Sequence, residues 1–295
     1  MAKQTDLITG VKEIIQDAAF SSARLLDYLN QGQRHVAGGM FITFPDNTQV
    51  FSSPLSELAT DYDLETSVAN PYIDLPSDFG RDLYYIVSST TELEVQILNS
   101  FTELLRMYSN LDSTNRVLVA AVRGTKLYYQ GYPSTAETLT AYYYRKPTNM
   151  TSYAASTISF AETGSRISDS ASSASVGFGL MSVGQTIDFT GTTSNNTDFT
   201  ITAIATDYSY ITVTPAPTDE SAGSEFTAKT RPHGIPEHLQ ESLLENYVAW
   251  KVFERKVNME AQEQRYRGLF MSAMLNLENS IENVPGSVRL MSEVY

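Results

Sequence analysis

The sequence predicts an α+β fold: a helical core with a small antiparallel β-sheet, discontinuous in the chain, plus an inserted all-β sandwich or barrel domain. Three observations carry this. Apolar residues recur every three to four positions near both ends of the 295-residue chain. Between about residues 83 and 145 the period falls to two. Residues 151–230 then change composition, with two Lys or Arg against eight Asp or Glu and 30 Ser and Thr. Such a shift marks a boundary at each end. The expected organisation is a core of residues 1–153 and 230–284, an inserted β domain over 154–229, and a terminal segment 285–295.

Each element has its own signal. Leu7, Ile8, Val11, Ile14, Ile15, Ala18 and Ala19 share one helix face. Ser21-Ser22 offers an N-cap to a second helix whose face is Leu25, Leu26, Leu29 and Val36, and Gly38-Gly39 ends it. Two helices this close predict an αα-hairpin. Residues 40–76 read as irregular. Leu83–Val87 is a strand, and Leu93, Val95 and Ile97 alternate with polar residues as a half-exposed one. Ser100 and Glu103 form a capping box before a helix over 101–109. Strands follow at 117–123, 126–129 and 138–145, the first two joined by Gly124-Thr125. In the insert, Ile187/Phe189, Phe199/Ile201/Ala203 and Ile211/Val213 alternate, with a turn at Ser194–Thr197. Pro236 suits a first helical position. Leu239, Leu243, Tyr247 and Trp250 line the helix it opens, which is apolar on most sides over 248–257 and so is expected to be buried. Tyr266, Phe270, Ala273, Met274, Leu277 and Ile281 line a last helix, stopped by Pro285-Gly286.

Composition narrows the function. The formal charge is -14, with no cysteine and three histidines. Without cysteine there is no disulfide framework, thiolate nucleophile or cysteine-built zinc site. The acidic balance excludes a protein that grips nucleic acid through a basic face, since that binding is driven by counterion release from phosphates. No run of about 18 apolar residues predicts a membrane span. The N-terminal MAKQTDLITG lacks an apolar run of signal-peptide length, so synthesis in the cytoplasm is expected.

The chain has no GxSxG, Walker, HExxH or GxGxxG pattern. Gly177-Phe-Gly179 is a lone GxG. His233, His238, Glu237 and Glu241 gather at a helix start, where the acids are better read as dipole compensation. Asp61, Asp63 and Glu65 offer oxygen ligands to a hard cation but lack the glycine and distant glutamate of a calcium loop, and read better as a solvated acidic loop. Asn149-Met-Thr151 and Asn195-Asn-Thr197 match a glycosylation pattern by chance. No catalytic residue, metal or cofactor is expected. Tyr142-Tyr143-Tyr144 is more informative. On a strand these rings divide between a packed and a showing face, and tyrosine joins a large apolar body to a polar tip. These three are candidate subunit-interface residues.

Four stretches taken in order resemble the head-to-tail adaptor (connector) proteins of tailed bacteriophages. They are Leu25-Leu-Asp-Tyr-Leu-Asn-Gln-Gly-Gln-Arg34, Tyr72-Ile-Asp-Leu-Pro-Ser-Asp-Phe79, Ala141-Tyr-Tyr-Tyr-Arg-Lys-Pro147 and Gly234-Ile-Pro-Glu-His-Leu-Gln-Glu-Ser-Leu-Leu244. Val183–Gly191 and Ser194–Thr197 resemble small β modules of phage structural chains. The resemblance implies a non-enzymatic virion protein of the neck, assembled as a homo-oligomeric ring, usually of twelve subunits. Its partners would be the portal protein above and tail or nozzle proteins below. DNA would pass through the lumen without specific binding, and no membrane would be involved. It also implies that the terminal segment docks on the portal, with Leu290, Met291, Val294 and Tyr295 as anchors. The alternative is a glycan-binding or adhesion chain of the virion surface or the extracellular space, using the β insert, with Phe178, Tyr208 and Tyr210 as its aromatics.

Overall fold

The computed structural model describes residues 3–281, apart from 18, 40, 44–48, 52–54, 56–57, 90 and 112–115. The anchors expected at Leu290, Met291, Val294 and Tyr295 lie outside the described residues. The chain divides into two compact units, one of Met1–Leu55 with Pro147–Tyr295 and one of Ser56–Lys146.

The first unit opens with α1 (Gln4–Ile15), which buries Leu7, Val11 and Ile15 at four-residue spacing. It stops where Gln16 turns left-handed at φ 46 and donates its N–H to the Lys12 carbonyl. The apolar spacing runs on to Ala19, but there Asp17 accepts the Ala19 N–H at 2.9 Å and starts a turn. Helix α2 (Ser22–Gly38) begins as the sequence predicts, with the Ser21 hydroxyl accepting the Arg24 N–H at 3.3 Å. It ends at Gly39, φ 78, a backbone conformation that suits glycine. A two-strand ribbon of β1 (Phe41–Thr43) and β2 (Gln49–Phe51) follows.

The second unit is two sheets around one core. Strands β3 (Ala59–Glu65), β9 (Thr138–Arg145) and β5 (Phe79–Ser88) form an antiparallel sheet in that order. Strands β4 (Tyr72–Asp74), β8 (Lys126–Tyr129), β7 (Val119–Arg123) and β6 (Gln96–Leu98) form the other, with only the β6–β7 pair parallel. Leu64, Ile86, Val95, Leu127, Tyr129 and Leu139 belong to the shared core. The region expected to be irregular holds strand β3. Its acidic alternation is the polar half of a period-two pattern rather than a loop. The capping serine is in place: Ser100 accepts the Glu103 N–H at 3.2 Å and opens α3 (Phe101–Met107). Gly124, at φ 64, makes the two-residue turn between β7 and β8.

Residues 152–230 return to the first unit as one antiparallel sheet. Its strands are β10 (Ser152–Ala155), β11 (Ile158–Ala161), β12 (Arg166–Asp169), β13 (Thr186–Thr190), β14 (Asp198–Ile204), β15 (Tyr210–Thr214) and β16 (Phe226–Thr230). They run in the order β10-β16-β13-β14-β15-β12-β11. It is a single open sheet, not a closed barrel. Phe160 of β11 meets Phe189 of β13 at 4.9 Å and Phe226 of β16 at 5.6 Å between ring centroids. Those strands lie four and five places apart, about 19 Å or more in a flat sheet. The sheet therefore curls round Phe160, Ile187, Phe199, Ile211 and Phe226 as its own core.

Helix α4 (Gln240–Phe253) is buried on most sides, at Leu243, Leu244, Tyr247, Val248, Trp250 and Val252 among others. It is the element that α1, α2 and α5 (Glu260–Ile281) share, so α1 and α2 pack chiefly on α4 rather than as a hairpin on each other. Gly32 of α2 is what admits the Tyr247 ring: a Cβ there would stand 2.7 Å from ring carbon Cδ1. Gly32→Ala gains roughly 1 kcal/mol of helix propensity but overpacks this contact at a cost of about 1–3 kcal/mol. A net loss is expected, read as a lowered denaturation midpoint.

On its other side, α4 sets the Glu245 carboxylate against Gly10 of α1. Burial, then Glu241 and Glu13, push the Glu245 carboxyl up to about 7. A raised acid pKa means that the folded chain holds a proton that the unfolded chain has released between pH 4.5 and 7. Stability from this group is therefore full at low pH and is lost as pH rises through that window. Glu245→Gln is expected to stabilise at pH 8 by about 1–2 kcal/mol, discounted for half burial, and to change little at pH 4. Melting curves at the two pH values check this.

Side-chain amides fasten the helices to the connector that leads into β10 within this unit. Asn30 pairs with Met150 in both directions, donating to its carbonyl at 3.0 Å and accepting its N–H at 2.7 Å. Gln33 donates to the Thr148 carbonyl at 2.5 Å and Gln4 to the Thr151 carbonyl at 3.1 Å. These bonds satisfy backbone groups of the connector just before β10, which belongs to no strand ladder of its own.

Candidate functional site

The strongest candidate surface is the outer face of the β3-β9-β5 sheet. Strand alternation splits the three neighbouring tyrosines. Tyr143 is 1 % exposed and belongs to the core, its hydroxyl donating to Asp78 at 2.8 Å. Burial, then that bond, raises its pKa, so it stays a neutral donor. Tyr142 and Tyr144 sit half-buried on the opposite face. Of the three candidates, then, Tyr142 and Tyr144 show and Tyr143 is packed away.

Two further tyrosines join them. The register between β5 and β9 slips between Arg81 and Tyr85, and such a bulge re-aims side chains. As a result Tyr84 and Tyr85, adjacent in sequence, are both exposed, while Leu83 and Ile86 on either side are buried. Tyr84 lies 5.3 Å from Tyr144 and 6.5 Å from Tyr142, and Tyr85 5.6 Å from Tyr142, between ring centroids. Strict alternation would have hidden one of the pair, so sequence reasoning missed them.

Along the other edge of the same face runs an acidic row. Asp61 pairs across the ladder with Tyr142, Asp63 with Thr140 and Glu65 with Thr138. All three acids are exposed, and Asp63 accepts the Thr140 hydroxyl at 2.7 Å. Burial, then Tyr144, Tyr142 and Asp61, raise the Tyr84 pKa, so its hydroxyl is a donor at neutral pH. The face thus offers apolar ring area and phenol donors, which are enriched where proteins meet, with a rank of carboxylates beside them that suits a cationic partner.

The remaining candidates stand elsewhere. Gly177-Phe-Gly179 lies in a 3₁₀ turn, Gly177–Leu180, with Phe178 fully buried. A Cβ at Gly179 would collide with the backbone around Ser173 and Ala174, so this glycine serves packing. The Tyr210 ring carries Arg166 at 4.3 Å. Of the three aromatics named for the insert, Phe178 is therefore inside, while Tyr208 and Tyr210 are half-buried. Asn149 accepts from Arg34 at 2.6 Å and Asn195 donates to the Thr218 carbonyl at 2.9 Å, so both asparagines hold loops. Among the described residues, no group of three or more His, Asp or Glu is placed to hold a metal ion. Nor is any described helix long and apolar enough to cross a membrane.

A family model described as SU10 adaptor protein matches residues 3–171. The match takes in α1, α2, the whole second unit and strands β10 to β12 of the curled sheet. Three of the four stretches that carry the adaptor resemblance fall inside it, and the fourth, at 234–244, lies beyond. No curated protein matches the chain. The matched segment is more than half of the sequence and covers the tyrosine face entire, and on that ground the chain belongs to the SU10 adaptor protein family of phage head-tail adaptors.

Proposed function

We propose that the chain assembles as a ring, of twelve subunits as is usual for such adaptors, below the portal of a tailed phage. There it joins capsid to tail or nozzle proteins and leaves a passage for DNA. The observation that carries this reading is the family match over residues 3–171. The exposed face of Tyr84, Tyr85, Tyr142 and Tyr144 beside Asp61, Asp63 and Glu65 supports it, because a ring needs each subunit to present a self-associating surface. Net charge supports it too. At -14 the chain repels phosphates and so suits a conduit that passes DNA without binding it.

In this reading residues 154–229 form a module that meets tail or neighbouring capsid parts, supported by a hydrophobic core of their own around Phe160, Phe189, Phe199 and Phe226. The terminal segment 285–295 docks on the portal through Leu290, Met291, Val294 and Tyr295. Removing residues 285–295 is expected to abolish co-purification with the portal protein while leaving self-association unchanged. Undiminished portal binding by the shortened chain would discard those anchors.

A further inference from the structure

In a chain of net charge -14, one groove runs against the overall sign. Arg24, Asp27, Tyr28, Arg34 and His35 of α2, with Arg255 just past α4, line a cavity of about 480 Å³. Three arginines there face one aspartate. Arg24 lies over the Phe20 ring at 4.8 Å and Arg255 over the Tyr28 ring at 5.2 Å, and neither has an ion-pair partner among the described residues. Arg34 donates to Asn149 at 2.6 Å. Burial, then Lys251 and Arg34, hold the His35 ring below its usual pKa, so it adds no charge of its own. Tyr28 is only 6 % exposed, yet its hydroxyl has no hydrogen-bond partner among the described residues. That hydroxyl is itself out of reach of solvent, so what the groove offers an incoming oxyanion is its guanidinium groups, of which those of Arg24 and Arg255 have no ion-pair partner among the described residues.

We propose that this groove receives the Asp61–Asp63–Glu65 row of a second copy of the chain. The inference rests on the self-assembly reading above and names the two surfaces that meet. Copies with this much negative charge repel each other unless patches of opposite sign are brought together. This groove is such a cationic patch among the described residues, and the β3 row is its complement. The reach agrees. Arg24 and Arg34 are ten residues apart on a helix, about 15 Å. Asp61 and Glu65 are four residues apart on a strand, about 14 Å. Guanidinium forks match carboxylates in pairs. A DNA phosphate would also suit the arginines, but a second copy brings its carboxylates beside a tyrosine face already suited to contact, which a duplex lacks.

The test is a charge swap. Arg24→Glu with Arg255→Glu reverses the groove, and Asp61→Lys with Glu65→Lys reverses the row. Each double variant alone is expected to self-associate at least tenfold more weakly in sedimentation velocity. An equimolar mixture of the two should recover assembly, because every groove then meets a row of opposite sign. Since the chain has no cysteine, a second test is clean: Gln31 also lines the groove, and a Gln31→Cys copy mixed with an Asp63→Cys copy should give a disulfide-linked pair on mild oxidation. Wild-type assembly with both charge variants unaffected, or with no cross-linked pair, overturns the pairing and leaves the ring reading intact. A wild-type chain that stays monomeric with and without portal overturns both. Binding of a short DNA duplex that is lost in the groove variant, with self-association unchanged, overturns the pairing in favour of phosphate.

Discussion

Asp169→Ala is expected to cost about 4 kcal/mol, a large share of the 5–15 kcal/mol that holds a typical domain folded. Asp169 is 1 % exposed and accepts four donors: the hydroxyls of Tyr153, Thr157 and Ser172 and the N–H of Ala171. Burial acts to raise its pKa, but the bonds from Thr157, Tyr153, Ala171 and Ser172 together outweigh it and hold the carboxyl below its usual range. Removal strands all four donors at once. The Tyr153 hydroxyl, pushed up to about 12 by burial and then by its bond to Asp169, stays protonated and would have no acceptor. Ser172 would in turn lose the position from which it accepts the Phe178 N–H at 3.1 Å, which ties the 3₁₀ turn to the sheet. Asp169→Asn keeps the shape and one acceptor and should cost about half as much. Urea titration of the full chain checks both, as a lowered midpoint. A depressed carboxyl pKa also fixes the pH sense: this stability is present above pH 3.8 and is lost as pH falls below it.

The second large effect is on assembly. Tyr142→Thr with Tyr144→Thr should leave the second unit folded, because both rings lie on the outer face and threonine is at home in strands. Interface tyrosines of the anchoring kind are worth about 2 kcal/mol each. The pair together should therefore weaken self-association about a thousandfold. Tyr143→Thr is the contrasting control. It removes a core ring and its bond to Asp78, so it should destabilise the unit itself. Sedimentation velocity read beside circular dichroism separates the two outcomes. If the Tyr142/Tyr144 variant assembles as wild type does, the tyrosine face is not a subunit contact.

Much of the architecture is written in local pattern. The Ser21 and Ser100 caps, the Gly38-Gly39 stop, the Gly124 turn and the strands at 126–129 and 138–145 follow from side-chain chemistry within a few residues, and the structure has them where the sequence predicts them. What was not legible depends on distant partners. That α2 packs on α4 rests on Gly32 and Tyr247, and that α1 does so on Gly10 and Glu245, each pair more than 200 positions apart. Strand β3 hides because three of its seven residues are acids, and its apolar half is little more than Leu64. The sheet of 152–230 reads equally as a sandwich or a barrel, since period two gives the faces but not the curl. At the candidate site, the tyrosines of β9 announce themselves by number. Tyr84 and Tyr85 need the second register slip of β5, between Arg81 and Tyr85; the strand's one glycine, Gly80, marks only the first, between Phe79 and Arg81. The arginine groove escaped because its members are scattered along α2 at helical spacing and completed by Arg255, and each alone looks like a solvated charge.

Ring formation is the claim on which the rest depends, and electron microscopy of the purified chain, alone and mixed with the portal protein of the same phage, addresses it directly. Rings with a central hole wide enough for duplex DNA, stacked on the portal in the mixture, are the expected result. A chain that remains a monomer and never associates with the portal would contradict it.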